Sequence, residues 1–161
     1  MEHQVDVAKK EILTCRGVSK TFYTKEGNKK NALNVVRDLD LSVYEKEFVV
    51  LFGPAECGKS TIINMLSGLD TPSAGKILHD GEPVAAPVPK RGVVYQSISL
   101  FPWLTVMGNV EFGPKAQGVG KAERRKKAQY LIDLVKLSGF EKSFPNELSG
   151  GMRQRVGIAR A

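Results

Sequence analysis

The sequence predicts an α/β fold: a strand–loop–helix core with the pattern of a phosphate loop, preceded by antiparallel strands and followed by a helical region. Three observations lead there. An apolar run, Phe48–Phe52, passes directly into the glycine-bearing stretch Gly53–Thr61, and Ile62, Leu66 and Leu69 follow at helical spacing. Stretches of the first 44 residues alternate polar and apolar side chains, as half-exposed strands do. From Thr105 onward the character becomes helical. A chain of 161 residues is long enough to bury one core.

Taken in order, Met1–Lys10 is polar and expected to fray. Glu11–Phe22 alternates loosely and reads as a strand; Tyr23–Asn31, charged and glycine-containing, reads as a loop. Leu39, Leu41 and Val43 alternate with Asp40 and Ser42, which argues a second half-exposed strand. After a charged turn at Glu45–Glu47, Phe48–Phe52 is expected to be a strand buried on both faces. Asp70–Gly75 is dense in turn residues, and Lys76–Val84 reads as a hairpin turning at Asp80-Gly81. A Pro/Ala connector, Pro83–Pro89, leads to a further short strand, Gly92–Tyr95, ending at Gln96. Lys121–Leu137 is predicted helical, with Ala128, Leu131, Ile132 and Val135 on its core face and Gly139 as its terminating residue.

Bulk properties narrow the function. The two cysteines, Cys15 and Cys57, have no spacing for a metal site or a disulfide framework, which suits a reducing compartment. Glu2, Asp6, Lys9 and Lys10 leave no apolar core for a signal peptide, and no apolar run could span a bilayer. The net charge of +7 fits an anionic ligand, a nucleic acid or a membrane surface. Its densest cluster, Lys121 with Arg124–Lys127, has no interleaved aromatics for base stacking and reads first as a solvated helix face.

Gly53–Thr61 fits G-x-x-x-x-G-K-[ST] in the context that gives that pattern meaning, strand before and helix after. The loop (Gly53, Pro54, Ala55, Glu56, Cys57, Gly58, Lys59, Ser60, Thr61) would wrap backbone N–H groups around phosphates at a helix N-terminus. Lys59 would reach the β- and γ-phosphates, and the Ser60 hydroxyl would ligate Mg²⁺. Glu56 is an electrostatically unhelpful neighbour for phosphate, and its side chain is expected to face solvent. Farther on, Ser149 can cap a helix starting at Gly150, and Gly150 with Gly151 would let an anion approach bare N–H groups closely.

These two motifs together resemble the ATP-binding subunit of an ABC transporter. Gly53–Thr61 resembles its Walker A loop and Leu148-Ser149-Gly150-Gly151 its signature. The wording of Leu100–Val106 and Leu148–Val156 is most similar to the nitrate, sulfonate and taurine importer branch. The resemblance implies a P-loop NTPase core with three parts: residues 1–96, antiparallel strands and core; 97–147, Q-loop and helical subdomain; 148–161, the signature and the start of its helix. It implies that Gln96 helps hold Mg²⁺ and senses the γ-phosphate, and that Phe22 stacks on adenine, with Tyr23 as the competing ring. Two subunits, in a homodimer, would sandwich two ATP molecules, so that Ser149, Gly150 and Gly151 serve the partner's nucleotide. Permease subunits would bind the segment from Gln96 through the following helices and hold the protein at the cytoplasmic face of the cell membrane.

The family places a Walker B strand, ending in Asp and Glu, after the signature helix, and no such segment occurs before Ala161. The chain also stops at Arg160-Ala161 without a helix-ending residue. The expectation is therefore a truncated chain with no catalytic residue of its own, inactive alone as an ATPase. Two alternatives are a nucleic-acid-handling ABC-type ATPase, for which the spacing leaves no coiled-coil or zinc insertion, and a non-hydrolytic nucleotide-binding fragment. A GTPase would need Asn-Lys-x-Asp, which Asn28–Asn31 fails at its last residue.

Overall fold

The structure is a computed structural model describing residues 10–26, 29–96 and 99–161. The fraying predicted for Met1–Lys10 thus falls, Lys10 apart, outside the described residues. The chain forms two compact units, Met1–Arg91 and Gly92–Ala161.

The first unit is an antiparallel sheet with one helix. Its strands are β1 (Glu11–Glu26), β2 (Lys29–Tyr44), β3 (Ala74–His79) and β4 (Glu82–Pro83), in the spatial order β2-β1-β3-β4. The loop expected over Tyr23–Asn31 is mostly strand: β1 and β2 stay in register through Tyr23↔Ala32 and on to Glu26↔Lys29. The backbone ladder of β1 and β2 runs on through this stretch and overrides the loop propensity of its composition. The β3–β4 hairpin turns at Asp80-Gly81, both at positive φ (51° and 82°), the combination a two-residue type I′ turn requires.

α1 (Lys59–Ser67) presses Met65, with Ile62 and Leu66, against Cys15, Val18, Val36, Ile77 and Val84. It ends at Gly68 (φ 85°), where the N–H groups of Gly68 and Leu69 return to the carbonyls of Met65 and Asn64. Leu69, expected on the buried helix face, therefore lies past the helix and is 48% exposed.

Two predicted strands do not form. Phe48–Phe52 pairs with nothing among the described residues, and Phe48 and Phe52 are 90% and 98% exposed. Gly92–Tyr95 is likewise without strand pairing. Both have the apolar composition of parallel strands, which pair with strands remote in sequence. No such neighbour exists among the described residues, so both segments stay unpaired.

The second unit is helical: α2 (Val106–Ala116), α3 (Lys121–Leu134) and α4 (Gly150–Arg160), with a short 3₁₀ turn at Pro145–Glu147. Val106, Met107, Val110, Ala128, Ile132, Leu137, Leu148, Val156 and Ala159 form its core. α3 stops three residues earlier than predicted. Lys136 (φ 58°), not Gly139, takes the left-handed position after its end, and the Arg155 guanidinium holds the carbonyls of Val135 and Lys136 at 2.9 and 3.1 Å.

Candidate functional site

The glycine-bearing loop rises from the unpaired Phe48–Phe52 segment and turns into α1. Its left-handed residues are Glu56 (φ 63°) and Gly58 (φ 93°). Gly58 is buried against β2: a Cβ there would lie 3.0 Å from both the Val35 carbonyl and its Cγ1. A side chain at this position would push the helix start off the sheet. Glu56 occupies a backbone conformation that suits glycine, and its side chain is exposed, as expected.

α1 begins with bare N–H groups. Gly58 offers no side-chain cap, and no acidic residue stands in the first turn. The positive end of the helix is thus neither neutralised nor hydrogen-bonded by a side chain. Lys59 folds back across the loop, donating to the carbonyl of Gly53 at 2.9 Å and to that of Pro54. Its ammonium also lies 3.5 Å from the Sγ of Cys57. A lysine ammonium beside an uncapped helix N-terminus is a pairing that suits phosphate oxygens. Ser60 is exposed in the first helical turn.

Phe22 sits within β1 opposite Leu33, not at a strand end. It is two residues along β1 from Lys20, which pairs with Val36 in the strand segment that Gly58 packs on. Lys20 lies 5.0 Å from the Phe22 ring centroid and bridges to Asp70 at 2.5 Å and to the Thr71 carbonyl at 2.8 Å. Nothing in the sequence pattern singled out Lys20, which ties the turn after α1 to the strand bearing Phe22. The neighbouring Tyr23 is 72% exposed against 40% for Phe22.

In the second unit, Gln96 is exposed directly after the unpaired 92–95 segment. Asn109, fully buried on α2, shapes the loop that leads into that helix. Its Oδ1 accepts from Phe101 N–H at 2.8 Å, and its Nδ2 donates to the carbonyls of Phe101, Leu104 and Thr105 at 3.0–3.2 Å. Sequence reasoning passed over Asn109. The available signal was a polar residue one position before Val110 on an otherwise apolar helix face.

Ser149 caps α4, its hydroxyl accepting from Met152 N–H at 3.3 Å. Gly150 and Gly151 are exposed, and a Cβ on either would meet nothing within 4 Å. Packing within this chain therefore does not require glycine at either place. Arg153 is engaged inward, on the Leu148 carbonyl at 2.7 Å.

The sequence pattern of the family described as "ABC transporter" matches residues 36–161. The chain belongs to the ABC transporter family. It is 47% identical to the taurine import ATP-binding protein TauB of Burkholderia pseudomallei, over 83% of this chain and 52% of that one. It is 45% identical to the nitrate import ATP-binding protein NrtD of a Synechocystis species, over 83% of this chain and 50% of that one. This ABC chain thus spans about half the length of the curated relatives it matches. Its fold is similar to a dimeric, post-hydrolysis structure of the ATP-binding cassette MJ0796 bound to ADP and Pi. There the TM-score is 0.79 and the identity 31%, over 92% of this chain and 68% of that one. Those neighbours agree with the α/β, ATP-binding-cassette fold read from the two glycine motifs.

Proposed function

We propose that this chain is the phosphate-binding part of an ABC importer's ATP-binding subunit. The observation that carries the proposal is the uncapped, acid-free start of α1, with Lys59 laid across the loop that feeds it. Backbone N–H groups from Gly53 to Thr61 would take phosphate oxygens. Lys59 would exchange its carbonyl partners for the β- and γ-phosphates. Ser60 and Gln96 would hold Mg²⁺, which neutralises charge between the same phosphates. Phe22 would stack on adenine, with the Lys20 cation beside its ring.

Ser149, Gly150 and Gly151 would meet the γ-phosphate of nucleotide held by a second subunit, most simply a second copy. Their open surroundings support a ligand from outside the chain, and the dimeric state of the ADP-bound neighbour supports the pairing. Permease subunits would dock on the segment after Gln96 and keep the protein at the cytoplasmic face of the cell membrane. No helix among the described residues is long and apolar enough to cross a membrane itself. The printed names of the taurine and nitrate relatives support import as the direction. No nucleic-acid role is assigned.

None of the residues proposed here acts as a general base, help worth about 10²–10⁴-fold, so by themselves they are expected to bind ATP at best weakly and without steady turnover. Calorimetric titration with Mg-ATP tests the site: Lys59→Ala should weaken binding at least about tenfold with an unchanged circular-dichroism spectrum. Equal affinity of the two forms would remove Lys59 from the site.

A further inference from the structure

α3 carries Lys121, Arg124, Arg125, Lys126 and Lys127 against Glu123 and Asp133. Arg124 is half-buried, with its Nε 3.8 Å from Glu111 and its Nη1 donating to the Val119 carbonyl. Asp133 is held by Gln129 at 3.0 Å and Ser138 at 2.6 Å. Lys121, Arg125, Lys126 and Lys127 are exposed and form no ion pair among the described residues.

The buried side of α3 is supplied by Ala128 and Ile132. On the opposite side Lys126, Tyr130 and Leu134 stand four residues apart and make one outward ridge. Tyr130 and Leu134 are 65% and 64% exposed, so the unit's own core covers neither. Cations spread around the first turns, followed along one ridge by an amphipathic ring and an aliphatic tip, match the interface of a bilayer. There lysines meet headgroup phosphates, a tyrosine lies at headgroup depth and a leucine reaches the acyl boundary. Four unpaired cations on long flexible stems suit a diffuse field of headgroups better than one carboxylate. A single ring with no second aromatic beside it is a poor platform for nucleotide bases.

We infer that the Lys126–Tyr130–Leu134 ridge of α3 docks on an anionic lipid surface. A membrane is within its reach through the proposed function, but binding to vesicles requires neither nucleotide nor a permease, so the two fail separately.

The test is co-sedimentation of the 161-residue chain with phosphatidylglycerol/phosphatidylcholine vesicles. Pure phosphatidylcholine measures the background from exposed Phe48 and Phe52. Each basic residue near such a surface is worth about fivefold in affinity. Lys126→Glu/Lys127→Glu should therefore weaken anionic-vesicle binding by at least about tenfold. Lys76→Glu/Lys90→Glu, the same charge change at exposed lysines of the other unit, should alter it less than about twofold. Trp103 is the only tryptophan, so a Trp103→Phe/Tyr130→Trp variant reports on position 130 alone, and brominated lipid should quench it. Equal losses for the two charge pairs, or an unquenched tryptophan at position 130, would overturn the inference. So would a duplex oligonucleotide that binds more tightly than vesicles through Lys126 and Lys127, since it would give the ridge to nucleic acid.

Discussion

Ile132 and Phe52 are both large apolar residues in stretches whose sequence asks for burial. Ile132 is 0% exposed, whereas Phe52 is 98% exposed. The difference is one of contact range. α2, α3 and α4 find their partners within about fifty residues of one another, and their apolar faces close on each other. The phosphate-loop segment belongs to a parallel architecture, in which each strand waits for neighbours far along the chain. Helical packing here is complete in a short stretch; parallel pairing is not.

The sharpest way to break that comparison is a matched pair of truncations. Ile132→Ala should cost about 3–4 kcal/mol by opening a cavity in the helical core. Phe52→Ser should leave unfolding within about 0.5 kcal/mol of the parent and raise solubility, since it removes apolar surface already in water. Urea unfolding followed by circular dichroism checks both. A large loss from Phe52→Ser would mean that the residue is buried in solution and that the contrast between the regions is false.

Within the helical unit, Asn109→Ala tests whether a polar group or the apolar core sets the loop after Gln96. It would take the hydrogen-bond partner from the Phe101 N–H and from the Leu104 carbonyl, both part-buried, at a cost of about 2–3 kcal/mol. Trp103, on that loop and 71% exposed, should report it as a change in emission and acrylamide quenching. Unchanged stability and fluorescence would reduce Asn109 to a bystander.

The sequence revealed the parts whose causes are local. The I′ turn at Asp80-Gly81, the Ser149 cap and the Ala128/Ile132 face each depend on a few neighbouring residues, and each stands where the pattern put it. Gly53–Thr61 could be marked as a candidate phosphate loop because its pattern is local, and the left-handed turn at Gly58 stands inside it. The strands at 48–52 and 92–95 were misjudged because apolar composition reports a wish for burial, not the presence of a neighbour. Asn109 and Lys20 were missed because their partners lie on separate loops, and nothing in a one-dimensional pattern marks a hydrogen-bond clamp.

A smaller effect sharpens the reading of the phosphate loop. Glu56 holds φ at 63°, where a side chain costs about 1 kcal/mol relative to glycine, partly offset by the flexibility glycine adds to the unfolded chain. Glu56→Gly should raise stability by up to about 0.5–1 kcal/mol in thermal melts, and should tighten Mg-ATP binding by removing a carboxylate near phosphate. Destabilisation would show that the Glu56 side chain makes a contact the loop needs.

The smallest expected effect lies in the first unit, at the bridge between Lys20 and Asp70. The Lys20 ammonium, hydrogen-bonded to it, holds the Asp70 carboxyl below its ordinary value of 3.8, and the Thr71 N–H adds to this. The Lys20 side chain is 11% exposed and that of Asp70 30%, so solvent screens the pair only in part. A depressed carboxylate binds fewer protons folded than unfolded, so its contribution is complete above the unfolded value and disappears as pH falls through the folded one. The bridge should therefore support the fold at pH 7 and release it only below about pH 4. Asp70→Asn should destabilise the chain by about 1 kcal/mol or less at pH 7. The gap between variant and parent should narrow as pH falls below about 4 and close once Asp70 of the folded parent is itself neutral. Paired thermal melts across that range measure it. A gap that persists in acid would mean that Asp70 matters through the geometry of the turn after α1, not through its charge on Lys20.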